Sequence, residues 1–305
     1  MPSLRSYIVK RYLRLGQYLM TSQNKHKDIF FIRKALELAT SRLPSTSSVT
    51  ITPIKIKGME AGYFKPQFAD KDVVMLYLHG GGYAFGSYQT HSSLISRLAS
   101  KLGIGAIGLN YSLWPENPYP AALNDALTAY EWLLEKGYHP EDIFLAGDSA
   151  GGGLVLATLL ALRDYDLPLP ALGVCLSPWT DLTGSGNSVT ENNDIDYMLI
   201  GSEIKTWGKS YANNEKVQHP YVSPLYGHLE GLPPLLLQVG TAEVLLDDSL
   251  SFAKKARKAG NDIKLEIWDD MPHVWQFFWP IIPEAEEALN SIAAFVRQKM
   301  TILAN

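Results

Sequence analysis

The chain has 305 residues, with 27 Lys+Arg against 31 Asp+Glu, 46% apolar residues and 19% charged ones. That length holds one large α/β domain or two smaller ones, the composition excludes a disordered or coiled-coil chain, and a formal charge of −4 provides no footprint for nucleic acid. The single cysteine, Cys175, excludes an intramolecular disulfide framework and fits a reducing, cytoplasmic setting.

In chain order, Leu4 to Met20 reads as a helix with Leu4, Ile8, Tyr12 and Leu15 near one face and a basic opposite face. The apolar stripe is expected to pack on the body of the protein, with the charges in water, in preference to the alternative of a helix lying on a membrane surface. Arg5, Lys10, Arg11 and Arg14 interrupt what would be the uncharged core of a signal peptide. No run reaches the ~18 apolar residues of a spanning helix, so stable membrane insertion is not expected. A second helix spans roughly Lys27 to Ser41 and stops before Pro44. Thr50 to Lys57 alternates as an edge strand. Short apolar runs at Val73–Leu78, Ile104–Leu109, Ile143–Ala146, Ala171–Leu176 and Leu235–Val239 then alternate with helical stretches at 91–102, Ala121–Lys136, Gly151–Arg163 and 249–259. Strand Ile263–Trp268 and a helix from about Pro283 to Lys299 close the series. Such alternation predicts a parallel sheet wrapped by helices.

Residues 181–230 break this rhythm. They are rich in Gly, Asn, Tyr and Pro, with a short helix near 202–212, and read as an insertion forming a lid or pocket wall. The expected organisation is therefore cap helices at 1–45, core at 46–180, cap insertion at 181–230 and core again at 231–305.

Gly147-Asp148-Ser149-Ala150-Gly151 matches G-x-S-x-G, between a predicted strand and a predicted helix. In that context the chain turns sharply, lifts Ser149 above the sheet and aims helix-terminal N–H groups toward it. His79-Gly80-Gly81-Gly82 follows an earlier strand. Glycines there let backbone N–H groups approach a developing oxyanion, which makes Gly81, Gly82 and Ala150 the candidate donors. His79 reads as a brace for that loop.

A nucleophilic serine needs a base. His273 sits on a loop after strand 263–268, where the order serine, acid, histidine puts it. His26, His79, His91 and His139 precede the serine, while His219 and His228 lie in the insertion. For the acid, Glu243 lies nearest the end of strand Leu235–Val239. Asp247 is the alternative, although Asp247 and Asp248 also suit the cap of the next helix. No H-E-x-x-H, C-x-x-C, P-loop or dinucleotide fingerprint occurs, so neither a metal nor a cofactor is expected. Cys175, in an apolar strand, reads as packing.

With these residues in hand the chain resembles the hormone-sensitive-lipase-like, microbial esterase group of α/β-hydrolases over about residues 49–300. The resemblance rests on His79–Gly82, on Asn110 to Ala122, on Gly147–Gly152, on Ser177-Pro178-Trp179-Thr180-Asp181 and on the His273 loop. It implies an α/β-hydrolase fold with an eight-stranded, mostly parallel sheet and a helical cap. It implies metal-independent hydrolysis of short- to medium-chain carboxylic esters, small-molecule substrates, and a monomer or homodimer. By the family's pattern Ser149 is the nucleophile, His273 the base, and Gly81, Gly82 and Ala150 the oxyanion donors. Aligning Leu245-Leu246-Asp247-Asp248 with the family's L-L-D-D puts Glu243 at the acid position, with Asp247 the alternative. Ser112-Leu113-Trp114 departs from the family's Arg-Leu-Ala, removing an arginine and adding a large ring. Tyr83, Trp179 and Tyr197 are the candidate substrate-lining residues. A lactonase, amidase or interfacial lipase would use the same triad, whereas a non-catalytic receptor on this fold would characteristically lack the serine or the histidine.

Overall fold

A computed structural model describes residues 2–22, 29–40 and 43–300. The ends expected for the second helix, Lys27 and Ser41, lie outside the described residues, as does the side chain of Leu15.

The sheet begins with a hairpin. β1 (Val49–Ile56) turns back through Lys57-Gly58, both at positive φ (48° and 96°), into β2 (Met59–Pro66). Two left-handed residues give the turn a twist that matches an antiparallel pair, and Gly58 takes the second position without a Cβ penalty. β2 is a strand that the sequence does not announce. Ala61 and Phe64, both buried, point into opposite cores, and they sit between residues as polar as Glu60 and Lys65.

Six further strands complete an eight-stranded sheet: β3 (Asp70–Leu78), β4 (Ile104–Leu109), β5 (Ile143–Asp148), β6 (Leu172–Leu176), β7 (Leu235–Gly240) and β8 (Ile263–Trp268). The order is β1-β2-β4-β3-β5-β6-β7-β8. β2 runs antiparallel to both β1 and β4, and every pairing from β4 to β8 is parallel. The chain reverses its direction of travel across the sheet at β3, which pairs with β4 on one side and β5 on the other. In open α/β sheets such a switch point opens a crevice at the carboxyl ends of the strands.

The helices are α1 (Leu4–Ser22), α2 (Ile29–Thr40), α3 (Ser92–Leu102), α4 (Ala121–Glu135), α5 (Ala150–Asp164), α6 (Ser188–Glu191), α7 (Gly201–Ala212), α8 (Leu246–Lys258) and α9 (Pro283–Lys299). Strand side chains alternate between two cores, as a pleat requires. Val74, Leu76 and Leu78 face α4, α5 and α8, while Val73, Met75 and Tyr77 face α3 and α9. That is why the central strands read as continuous apolar runs instead of alternating ones. α5 is buried from Ala150 to Leu162 and is apolar all round, as a helix enclosed by its neighbours must be. The segment between β6 and β7 carries α6 and α7.

α1 packs the other way round from the expectation. Ser6, Val9 and Lys10 are buried, and Leu13 packs with Val9 against Met271, Trp275, Ile282 and Ala285. Leu4, Ile8 and Tyr12 face outward. Polar anchoring decides the matter: the Lys10 ammonium pairs with Asp270, and Ser3 binds Glu284 at the start of α9 through its Oγ (2.9 Å) and its N–H. A buried lysine is tolerated only with such a partner, and here the partner fixes the helix's rotation. Among the described residues no helix is long and apolar enough to cross a membrane.

Leu76 lies at the centre of β3 with no solvent exposure. Leu76→Ala is expected to cost about 2–5 kcal/mol, read as a lowered chemical-denaturation midpoint.

Candidate active site

The turn from β5 to α5 packs backbone directly on backbone. A Cβ on Gly147 would lie 2.6 Å from the Leu78 carbonyl oxygen, and one on Gly151 would collide with the carbonyls of Leu78 and His79. Only hydrogen fits there, so both glycines of the motif are dictated by backbone packed on backbone. Between them Ser149 takes φ 52°, ψ −122°, a region that costs a side-chain-bearing residue about 1–3 kcal/mol. Hydrogen bonds hold it there: Ser149 N–H donates to Leu176 O (2.8 Å), while its carbonyl accepts from Gly153 (3.0 Å) and Trp179 (2.9 Å).

Ser149 Oγ lies 2.9 Å from His273 Nε2, and His273 Nδ1 lies 2.8 Å from Glu243 Oε2. The three side chains come from the carboxyl ends of β5, β8 and β7, and all are buried. The other Glu243 oxygen accepts from Gly240 N–H (2.6 Å) and from the Ser177 hydroxyl (2.8 Å). Ser177 in turn accepts the Val274 N–H (3.2 Å), tying the carboxylate to the loop that carries the histidine. Asp247 points elsewhere, accepting the Ser188 N–H (3.0 Å) at the start of α6.

Asp247 and Asp248 are not caps, because α8 starts earlier than expected, at Leu246, and both fall inside its first turn. The buried Asp248 instead accepts the N–H groups of Thr180 and Asp181, at 2.7 Å each, fastening the stretch after β6.

Burial opposes the charged form of His273. The Glu243 hydrogen bond and charge, with the carboxylates of Asp196 and Asp148 behind them, outweigh that and raise its pKa above the ordinary histidine value. Asp196 had no signal in the sequence beyond being one acid among polar neighbours. It is buried, accepts the N–H groups of Met198 (2.8 Å) and Leu199 (2.9 Å), and takes the Val244 N–H on its other oxygen (2.9 Å). It thereby joins the insertion to the residue after Glu243.

Across the crevice, Gly81 and Gly82 both have positive φ (115° and 60°). The Gly81 carbonyl accepts from Ala84 and Phe85 N–H, both at 3.0 Å, closing the turn after β3. Ala150 opens α5, so its N–H has no partner within the helix. Beneath the loop, Asp148 Oδ1 accepts from Gly80 N–H (3.0 Å) and from the Tyr77 hydroxyl (2.8 Å). Burial would lift the pKa of Asp148, but His91 at 3.3 Å and the Tyr77 hydroxyl hold it below the usual carboxylate range. His79 stacks on Tyr111 at 4.2 Å and contacts Gly80 O through Nδ1 (2.9 Å). Burial and neighbouring His91 depress its pKa to about 3, so it is a neutral brace.

The aromatic candidates separate. Tyr83 is fully buried and stacks on Tyr211 at 3.7 Å, and Trp179 is buried beside it. Tyr197 sits at the seam with α1, its ring facing Lys10 and Arg14. Trp207 of α7, not singled out from sequence, comes nearest to the oxyanion turn, since a Cβ on Gly82 would lie 3.4 Å from its ring. Phe85 and Trp114 pack on the same indole. In the corner where the family's arginine is missing, Arg33 of α2 reaches in. It grips Glu116 with both terminal nitrogens (2.6 and 2.9 Å) and donates to the carbonyls of Ala84 and Trp114. Burial pushes the Cys175 thiol pKa up, keeping it protonated packing.

Residues 75–277 match the alpha/beta hydrolase fold family. An acetyl-hydrolase of Streptomyces hygroscopicus is 45% identical over 73% of this chain and 75% of its own. An esterase of Acinetobacter venetianus is 36% identical over 87% of each chain. The solved structure of an esterase from the bacterial hormone-sensitive lipase family superposes with a TM-score of 0.92 at 41% identity, covering 98% of this chain and 99% of that one. The chain belongs to the α/β-hydrolases, in their hormone-sensitive-lipase-like family.

Gly151→Ala is expected to displace the nucleophile turn. Because a shift of ~1 Å at reacting atoms costs about 10²-fold in rate, turnover of an activated ester should fall at least that far.

Proposed function

We propose that this α/β-hydrolase is a carboxylic ester hydrolase that cleaves short- to medium-chain esters through an acyl-enzyme on Ser149. The observation that carries the reading is the unbroken line of hydrogen bonds from Ser149 Oγ through His273 to Glu243, at 2.9 and 2.8 Å. Ser149 Oγ bonds to the ester carbonyl carbon as its proton passes to His273 Nε2. Glu243, accepting from Nδ1–H, holds the imidazole in the tautomer that leaves Nε2 free and stabilises the imidazolium. The carbonyl oxygen becomes an oxyanion met by the N–H groups of Gly81, Gly82 and Ala150, each worth ~3–4 kcal/mol of barrier by analogy with other oxyanion holes. The C–O bond then breaks and the alcohol departs with the proton from His273. Water repeats the sequence and releases the carboxylic acid, regenerating the Ser149 hydroxyl.

Two features support a small acyl group. The acetyl-hydrolase relative is 45% identical to this chain. Trp207, Phe85 and Trp114 cluster beside the turn of Gly82, and rings of that size there would limit the length of an acyl chain. In this reading α2 and the insertion carrying α7 act as the cap, and the protein works in the cytoplasm, where a lone reduced thiol such as Cys175 is at home.

A series of p-nitrophenyl esters from acetate to palmitate tests the reading. Turnover should peak at short chains and vanish in Ser149→Ala, whereas a wild type that turns over none of them would overturn it. The pH profile tests the roles of the acids. The base must be neutral, so activity is expected to rise with pH through the raised pKa of His273. Glu243→Gln removes the charge that raises that pKa. The acid limb should move to lower pH while kcat falls by about 10⁴-fold. Asp196→Asn should move the limb in the same direction, by less, with most of the rate kept.

A further inference from the structure

α1 presents an apolar face to solvent. Leu4 is 76% exposed, Tyr7 54%, Ile8 46% and Tyr12 72%, while the side that packs on the body includes Ser6 and Lys10. At 100° per residue these four project from one side of the helix. Arg11 lies within that side, and Arg5 and Arg14 lie along its two edges, all three exposed. Residues 2–22 contain no acidic residue, and the other cation, Lys10, is spent on Asp270.

We propose that this face of α1 docks the protein on an anionic lipid surface, with the helix lying in the plane of the headgroups. The pattern is that of an interfacial helix: aliphatic side chains to enter the acyl boundary, tyrosines for the headgroup level, and arginines to reach lipid phosphates while their stems remain apolar. A second copy of the chain fits the same face poorly. A two-fold contact would bring Arg5, Arg11 and Arg14 of one protomer against those of its partner, with no acid on the helix to neutralise them. The basic helix stands out on a chain of net charge −4, so attraction to an anionic surface is local and sets one orientation.

Orientation follows from what α1 rests on. Val9 packs on Met271 and Trp275, and Lys10 pairs with Asp270, so the helix lies on the loop that carries His273. Docking through the outer face would hold that loop about one helix diameter, ~10 Å, from the headgroups.

The test uses the full chain and vesicle co-sedimentation. Wild type is expected to sediment with vesicles of phosphatidylcholine mixed with phosphatidylglycerol, at least about tenfold more strongly than with phosphatidylcholine alone, and to be released by high salt. The triple variants Leu4→Gln/Ile8→Gln/Tyr12→Gln and Arg5→Gln/Arg11→Gln/Arg14→Gln should each lose about tenfold or more of that binding. Both should hydrolyse soluble p-nitrophenyl acetate at the wild-type rate, which verifies their folding. Equal binding to both vesicle types, or no binding to either, would overturn the proposal. So would retained binding by the apolar variant. A dimer in sedimentation velocity that Ile8→Gln dissolves, without vesicle binding, would assign the face to a second copy instead. Turnover of the soluble ester reports on the triad separately, so failure of docking and failure of the hydrolase reading are distinguishable.

Discussion

The site depends on two stretches of backbone that touch without side chains between them. The start of α5 presses Gly147 and Gly151 against the carbonyls at the end of β3. This contact sets the height of Ser149 above the sheet and brings Ala150 N–H alongside the loop bearing Gly81 and Gly82. In the proposed mechanism, two adjacent parallel strands therefore supply both the nucleophile and the groups that meet the charge it creates. The positive φ of Ser149 is held by the hydrogen bonds to Leu176, Gly153 and Trp179, so the surrounding sheet bears the strain.

Around that contact the buried carboxylates divide the work by position. Glu243 faces the histidine. Asp148 lies under the oxyanion loop and grips Gly80. Asp248 fastens the start of the insertion, and Asp196 fastens its middle to the loop after Glu243. Each accepts backbone N–H groups, which satisfy its buried oxygens, although burial still raises the pKa of Asp196 and Asp248. Asp148 and Asp248 tie a loop to a strand and to a helix, and Asp196 ties the insertion to the turn after Glu243. The geometry of the serine, histidine and glutamate thus rests on acids that never meet a substrate.

Much of this was legible beforehand, for identifiable reasons. β4 begins and ends where its apolar run does, because a buried parallel strand has few polar positions to blur its ends. Ser149 and His273 stood out because turn chemistry and chain order are local or ordinal properties. β2 was hidden, since Glu60 and Lys65 interrupt its apolar positions and its Gly and Pro read as loop. The rotation of α1 was misjudged because a hydrophobic stripe normally faces inward, and only the folded chain shows that Asp270 waits for Lys10. Asp196, Trp207 and Arg33 were invisible for a shared reason: each acts on a partner far away in sequence, and none belongs to a pattern with fixed spacing. Ser177 was visible as a motif residue, but its bond to Glu243 was not.

The insertion has a property set by where it leaves the sheet. Its two flanking strands, β6 and β7, are immediate neighbours, with Cys175 opposite Leu237. Because the two strands run parallel, the segment leaves the carboxyl end of β6 and returns to the amino end of β7. The three-residue offset between Leu235 and Gln238, the partner of Leu176, fixes that gap at roughly 10 Å along the strands whatever lies between. Closing a longer or shorter segment across such a fixed gap changes the loop entropy only slowly with length. The proposed nucleophile and oxyanion loop lie wholly before the insertion, and the proposed acid and base wholly after it. The insertion is in effect a cassette: evolution or an engineer can exchange it without re-registering a single strand, provided the replacement restores the anchor that Asp196 supplies.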